Sequence, residues 1–351
     1  VMNWSDVVQR RSVTAAGVYV ALTRKCPLHC AHCSTESTMS SPEEDDSYYR
    51  DFIDTFTHEE HPEIVWFTGG EPMLRPALVR ELAIKSHAVG ARTVLTTGLY
   101  FGRRGRIPPL FWPTLDAIDF VTVSVDTWHE NEVPRAAAFD CFDEMLEHGL
   151  DVGIQATGTD VNDPYLTQLS EELEDRFDRR IGVYVGVLKA VGRGEDVAEA
   201  HSLNQEATGV DPPQPQGCGG LSWPVFGFGG DFTNACCNQE AINARPDHLR
   251  LTTNWPDMAR GLCQGAVLRV IKTLGPRVLA HELDGTTQPP MDYCGKCRSL
   301  SGRADVRAKA EEIVDRPAWE IIEATSNGMR DEFGDPTLGQ KQYFELTNWG
   351  T

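Results

Sequence analysis

At 351 residues, 40% of them hydrophobic, the chain has the length and apolar content for a sizeable core, which excludes a disordered protein. Its 52 acidic against 32 basic residues leave a net charge of −20, without the basic footprint that nucleic-acid binding needs. No apolar run reaches the roughly eighteen residues of a membrane span, and Val1-Met-Asn-Trp-Ser-Asp6 shows no basic-then-apolar secretory signal, so a cytoplasmic protein is expected.

The first predicted strand, residues 18–23, is short and apolar and runs into Cys26-Pro-Leu-His-Cys30-Ala-His-Cys33. In a reducing compartment, clustered cysteines read as metal ligands rather than disulfides. Three thiolates in one loop can hold three irons of a cubane cluster and leave the fourth iron open. Zinc is the alternative, because His29 and His32 enlarge the set of nitrogen and sulfur donors. A helix over 42–58, acidic in its first turn as the helix dipole favours, leads to a strand over 63–68. That strand enters Gly69-Gly70-Glu71-Pro72, where glycines permit close backbone approach and the proline pre-sets a helix over 73–87.

Strands over 91–97, 118–126, 151–157 and 181–188 follow, with helices over 132–147 and 164–178. Six strand–helix units predict an α/β fold, a partial (β/α)6 TIM-type barrel over residues 1–208. In such a barrel the strand ends face the site, which brings in Thr96-Thr97-Gly98, Ser124, Asp126, Gln155 and Thr157, with helix capping as the plainer use of each. Cys141, in mid-helix among Ala137, Ala138 and Phe142, reads as a core thiol. Lys189 and Arg193, after the sixth strand, read as groups for substrate or for the surroundings of a second cluster.

Beyond Arg193 the composition changes, and Gly209-Val-Asp-Pro-Pro-Gln-Pro-Gln-Gly217 reads as a linker. Cys218 follows, then a glycine-rich turn at Phe226-Gly-Phe-Gly-Gly-Asp231 that suits a hairpin, then Cys236 and Cys237, and later Cys294-Gly-Lys-Cys297. Cys218, Cys236, Cys294 and Cys297 give four thiolates, enough to close a second metal site, with a zinc ribbon as the alternative. Residues 209–300 are therefore expected to form a small second domain. Residues 301–351 form a tail, helical over 304–314.

The C-x3-C-x2-C loop after the first strand, followed by GGEP after the second, resembles the radical S-adenosylmethionine (SAM) family. That resemblance implies a [4Fe-4S] cluster on Cys26, Cys30 and Cys33, with SAM at its open iron. It implies that Gly69, Gly70 and Glu71 hydrogen-bond the SAM amino group, that Ser124 and Asp126 sit in an S-x-D segment contacting SAM, and that His32 lies near the adenine. Gln155 and Thr157 are expected to line the same cavity. The chemistry implied is reductive SAM cleavage to a 5′-deoxyadenosyl radical that abstracts a substrate hydrogen, with electrons from a flavodoxin or ferredoxin. The later cysteines resemble the twitch or SPASM extension of this family, as in aminoglycoside-pathway dehydrogenases and epimerases, which implies one auxiliary [4Fe-4S] cluster.

Cys263, and secondarily Cys237, remain as thiols that return a hydrogen atom in an epimerisation, or, for Cys263, as a structural thiol. The expected substrate is a cationic aminocyclitol or aminosugar, to which the acidic charge is suited. Modification of a ribosomally made peptide is the second reading, against which the short stretch before Val18 leaves no room for a leader-binding domain. A non-enzymatic zinc scaffold is the third.

Overall fold

The computed structural model describes residues 1–11, 13–160, 162–201, 215–227, 233–234, 254–285, 293–300 and 303–333. Helix α1 (Trp4–Arg11) precedes strand β1 (Gly17–Ala21), and then come α2 (Asp46–Ile53), β2 (Ile64–Thr68), α3 (Pro76–Val89) and β3 (Arg92–Thr97). The chain continues through α4 (Trp112–Leu115), β4 (Phe120–Ser124), α5 (Arg135–Glu147), β5 (Val152–Gly158), α6 (Pro164–Phe177), β6 (Gly182–Val187) and α7 (Gly194–Ala200).

Two predicted helices are shortened for local reasons. α2 starts at Asp46 rather than at residue 42 because the Asp45 side chain caps it, accepting the Ser47 N–H at 2.8 Å. The helix expected from residue 73 is split: Glu71 caps a 3₁₀ turn over Pro72–Leu74, and Pro76 opens α3 as a first-turn proline.

The strands form one eight-stranded sheet in the order β6-β5-β4-β3-β2-β1-β7-β8, with β7 (Pro224–Gly227) and β8 (Thr233–Asn234) contributed by the later part of the chain. Strands β1 to β7 run parallel and the sheet stays open, as a partial barrel does. Each βα crossover buries both faces of its strands, which explains their near-continuous Val, Ile and Phe content. The outer face packs Val20, Phe67, Leu95, Val123 and Ile154 against the helices. The inner face carries an aromatic plug of Trp4, Trp66, Phe120 and Trp223 with Tyr19 and Tyr184, and the Trp4 and Tyr184 rings stack at 4.8 Å. Trp4 donates its indole N–H to the Gly182 carbonyl, at the first residue of β6, so α1 closes the amino-terminal end of the sheet. The carboxyl-terminal end is left for chemistry.

β7 and β8 pair antiparallel, with Val225 opposite Thr233, while the glycine turn expected between them lies largely outside the described residues. β7 also adds in parallel to β1, with Tyr19 opposite Val225. β1 would otherwise expose a row of unpaired backbone groups on that edge. Phe226 anchors the addition, stacking on Phe52 at 3.8 Å and on Tyr48 at 4.5 Å.

Beyond the hairpin lie α8 (Trp255–Gln264), α9 (Ala266–Thr273), α10 (Pro276–Asp284), α11 (Tyr293–Ser299), α12 (Asp305–Val314) and α13 (Trp319–Phe333). α12 matches the helix expected over 304–314. Trp255 joins this layer to the barrel, its ring 5.8 Å from Phe56 and its N–H on Thr55 Oγ1. Among the described residues, no helix is long and apolar enough to cross a membrane.

Candidate active site

The cysteine loop leaves the carboxyl end of β1 and is fastened there by backbone hydrogen bonds. The Cys26 N–H reaches the Thr38 carbonyl at 3.3 Å, and the Cys33 N–H reaches the Cys30 carbonyl at 3.2 Å. Gly70 and Glu71, just past β2, donate their N–H groups to the Thr23 and Lys25 carbonyls at 2.6 and 2.9 Å. Both glycines are required by this approach: a Cβ on Gly69 would lie 2.4 Å from the Thr23 oxygen, and one on Gly70 2.3 Å from the Lys25 oxygen. The predicted GGEP turn is thus the seat of the cysteine loop.

Glu71 is fully buried, and its carboxylate spans to β3. Oε1 accepts the Met73 N–H at 2.9 Å, Oε2 accepts the Gly98 N–H at 2.9 Å, and the Thr97 hydroxyl donates to both oxygens at 2.9 and 3.0 Å. Burial pushes this carboxyl up to about 7 against the lowering effect of those donors. Gly98 matters for a second reason, since a Cβ there would lie 2.3 Å from Leu28 Cδ1 of the cysteine loop.

The loop after β4 supplies a hydrogen-bonded cluster that the sequence reading reached only in part. Asp126 is buried, and its Oδ1 accepts the Trp128 and His129 N–H groups at 3.0 and 2.9 Å. Its Oδ2 meets His129 Nδ1 at 3.1 Å and His32 Nε2 at 3.4 Å. Asp126, expected to touch SAM, therefore has both oxygens engaged by protein groups. Burial alone would push its carboxyl up, yet His129, His32 and the accepted hydrogen bonds hold it below the ordinary carboxylate range. Burial pushes the His32 imidazole down to about 4. The His32 ring lies 4.8 Å from Trp128, and its Nδ1 is a buried polar atom without a hydrogen-bond partner. The His129 ring also lies within hydrogen-bonding reach of Cys30.

Gln155 donates to Thr96 Oγ1 at 3.1 Å and to Thr122 Oγ1 at 3.3 Å, and Thr96 also receives the Trp66 indole N–H at 2.7 Å. These groups share the inner face of the barrel. By the two-residue alternation of strands, Ser124 and Thr157 lie on that face one step nearer the carboxyl end. Gln155 is thus a barrel-interior residue with both partners supplied by protein.

None of Cys26, Cys30 and Cys33 is in a disulfide, and they lie close enough for Cys30 and Cys33 to raise the Cys26 thiol electrostatically. Burial is the largest influence on Cys26, pushing it up to about 12, and a bound metal ion would favour its thiolate. Burial would raise Cys33 as well, but hydrogen bonds from Thr35 and Ser37 and the nearby Arg193 bring it below the ordinary thiol value. Three thiols from one loop, a neighbouring orphan imidazole nitrogen and an adjacent cation fit a cluster held through three of its irons.

Of the second cysteine set, Cys236 and Cys237 lie outside the described residues, as does the side chain of Cys294. Cys218 precedes β7, with its N–H on the Ile271 carbonyl at 3.0 Å. Tyr293 in α11 donates to the Gln216 carbonyl at 2.8 Å, which brings the helix carrying Cys294 and Cys297 to the Cys218 segment. Cys297 is buried, and Cys263 is exposed on α8. Cys141 is the core thiol expected, fully buried with its Sγ 3.6 Å from the Gly102 carbonyl.

An open parallel barrel with a three-thiol loop seated on a glycine turn at its carboxyl end defines a cluster-binding α/β protein. Residues 20–177 match the model of the radical SAM superfamily, and the chain carries a radical SAM domain. The cofactors of that family are a [4Fe-4S] cluster and SAM. The chain is similar to YydG of Bacillus subtilis (strain 168), a protein named for peptide biosynthesis, at 22% identity over 200 residues. That alignment covers 54% of this chain and 61% of YydG, so the chain spans about three fifths of the curated relative it matches. Among solved structures it is similar to SuiB of Streptococcus suis bound to S-adenosylmethionine (TM-score 0.45, 14% identity, covering 66% of this chain and 63% of that one). It is also similar to BtrN in complex with AdoMet and 2-DOIA (TM-score 0.42, 10% identity, 74% and 88%). A third is anSMEcpe with bound AdoMet and the Cp18Cys peptide (TM-score 0.49, 11% identity, 89% and 99%).

His129 and Trp128 are site residues the sequence reading missed, and Arg193 is one it placed elsewhere, whereas Thr97 was among the strand-end residues it named. The signal for the first two was present in Asp126-Thr-Trp-His129, an aspartate whose side chain bonds backbone N–H groups two and three residues on. Nothing local marked the partners of Thr97 or Arg193.

Proposed function

We propose that this chain is a radical SAM enzyme that abstracts a hydrogen atom from a peptide substrate, leading to epimerisation or oxidation at that carbon. The observation that carries the enzymatic reading is the three-thiol loop of Cys26, Cys30 and Cys33, seated by Gly70 and Glu71 on the carboxyl end of the barrel. When bound, the cluster and SAM supply reductive cleavage of a sulfonium C–S bond and a 5′-deoxyadenosyl radical.

The chain's own part is orientation and exclusion of water. Glu71 ties the end of β2 to the end of β3, Asp126 fixes the loop bearing His129, and the inner-face positions of Ser124 and Thr157 line the approach. Gly69, Gly70 and Glu71 are assigned to the amino-acid end of SAM, and His32 with Trp128 to a planar group such as adenine, supported by their 4.8 Å ring spacing.

A peptide substrate is favoured by the likeness to YydG. The aminocyclitol or aminosugar reading is supported by the four-cysteine pattern of Cys218, Cys236, Cys294 and Cys297 and by the net charge of −20. These four cysteines are assigned to one auxiliary [4Fe-4S] cluster, supported by the contact between Tyr293 and Gln216. A cluster closed by four thiolates can exchange an electron but binds no substrate, which suits oxidation. Hydrogen return by Cys263 suits epimerisation and is supported by its exposure on α8. A flavodoxin or ferredoxin is assigned as electron donor, and the cytoplasm as the compartment that keeps these thiols reduced.

Anaerobic reconstitution followed by metal and sulfide analysis tests the class: about eight irons per chain are expected for two four-iron clusters, and zinc in their place overturns it. Release of 5′-deoxyadenosine from SAM, accelerated by a peptide and not by aminosugars, tests the substrate. The opposite preference returns the aminosugar reading.

A further inference from the structure

Arg193 follows β6, and its contacts lie on the cysteine loop. Its Nε donates to the Cys30 carbonyl at 3.1 Å, its Nη1 to the Ser37 carbonyl at 3.2 Å, and its backbone N–H to the Cys33 carbonyl at 3.0 Å. The neighbouring glycine makes this approach possible. Gly192 has a φ of +57°, and a Cβ there would lie 2.7 Å from both the Cys33 and the Ser34 carbonyl oxygens. Arg193 therefore holds the loop at three carbonyls, the guanidinium at those of Cys30 and Ser37 and the backbone N–H at that of Cys33, and two of the three belong to cysteines read as cluster ligands.

Resting on the radical SAM reading above, we infer that Arg193 is a positioning residue for the cluster: it preforms the three-thiol loop and keeps a fixed positive charge beside it. A planar guanidinium suits both tasks, because its rigid fork reaches two carbonyls at once and it stays charged at every working pH. Fixed charge and hydrogen bonding near the sulfurs are among the means by which a protein sets a cluster's reduction potential. A positive charge favours the reduced, more negative state.

The test uses the full chain, reconstituted anaerobically with iron and sulfide. The open-iron cluster is recognised by an EPR signal that changes on addition of SAM. Its redox titration gives a midpoint, and its decay under a chelator gives retention. Arg193→Gln is expected to make the midpoint more negative, with the reduction constant falling about tenfold, or about 59 mV for one electron. Arg193→Lys, which keeps the charge and loses the fork, is expected to hold the wild-type midpoint yet lose the cluster several-fold faster. An unchanged midpoint in Arg193→Gln overturns the electrostatic role, and unchanged retention in Arg193→Lys overturns the clamp. If Arg193→Gln does not fold, a wild-type midpoint in Arg193→Lys supports the charge and a midpoint as negative as tenfold weaker reduction overturns it.

Wild-type protein with no SAM-responsive signal counts against the functional reading rather than against the clamp. The clamp is then read with Cd²⁺ alone, through its thiolate absorption band. Faster Cd²⁺ loss from Arg193→Lys and from Gly192→Ala supports it, and equal loss rates overturn it.

Discussion

Glu71 Oε2 accepts the Gly98 N–H at 2.9 Å, which joins the residue after β2 to the residue after β3. A carboxylate read as a ligand group is in this way also a fastener between two strand ends. Its oxygens accept from the Met73 and Gly98 N–H groups and from the Thr97 hydroxyl.

Glu71→Gln is expected to cost about 1–3 kcal/mol, because either amide orientation points an N–H at the backbone donor of Met73 or of Gly98. Urea denaturation of the two proteins at pH 8 measures it. Equal midpoints would show that the buried carboxylate is dispensable.

The same group gives a pH signature. Its folded pKa, raised to about 7 from 4.5, means that the folded state keeps its proton longer than the unfolded chain. Its contribution to stability is therefore full below about 4.5 and falls as pH rises through 7. Stability measured from pH 4.5 to 8 should decline less steeply in Glu71→Gln than in the wild type. Parallel profiles would exclude Glu71 as the source.

His87 and Asp119 predict a second, smaller dependence. His87 Nε2 lies 2.8 Å from Asp119 Oδ2, and that hydrogen bond raises the imidazole above its ordinary value. Burial would raise Asp119, but the His87 and Thr93 hydrogen bonds outweigh it and lower the carboxyl. The stabilisation is present between the unfolded values of the two groups. It is lost as pH falls through the depressed carboxyl and as pH rises through the elevated imidazole. Both groups are about one-third exposed, so His87→Ala should cost under about 1 kcal/mol at pH 5.5 and less at pH 9. A cost that does not change with pH would refute the pairing.

Phe226→Ala tests whether β7 belongs to the barrel sheet. Loss of the stack on Phe52 and Tyr48 should cost about 3–5 kcal/mol and raise hydrogen exchange at the β1 edge. Unfolding confined to residues after β7, with β1 still protected, would mean that the hairpin is only an appendage.

Gly70→Ala places a methyl group 2.3 Å from the Lys25 carbonyl oxygen, a clash with backbone that no side-chain rotation relieves. A cost of about 1–3 kcal/mol is expected, together with reduced iron content after reconstitution. Normal iron content would separate the glycine turn from assembly of the cysteine loop.

The six barrel strands and most of their helices were legible because alternation, apolar runs and capping residues are local properties of the chain. The observed strands lie within the predicted ones to within a residue or two, as Gly182–Val187 does within 181–188. The helical layer of α8, α9, α10 and α13 was not read, since its short amphipathic helices carry no motif. The polar residues were legible as present but not as partnered. Asp126 and Gln155 looked like ligand groups, and the fold gives both of them to protein donors.

By itself, the amino-acid order determined which groups the molecule owns: a loop of three thiols, a glycine turn, and a strand–helix alternation that sends both to one end of a sheet. Only the tertiary structure decided who meets whom. Arg193 and Cys30 are 163 positions apart, and the β1 edge is completed by a strand from beyond residue 220. Contacts of that kind depend on how surfaces close over one another, and no local pattern of residues encodes a partner so far along the chain.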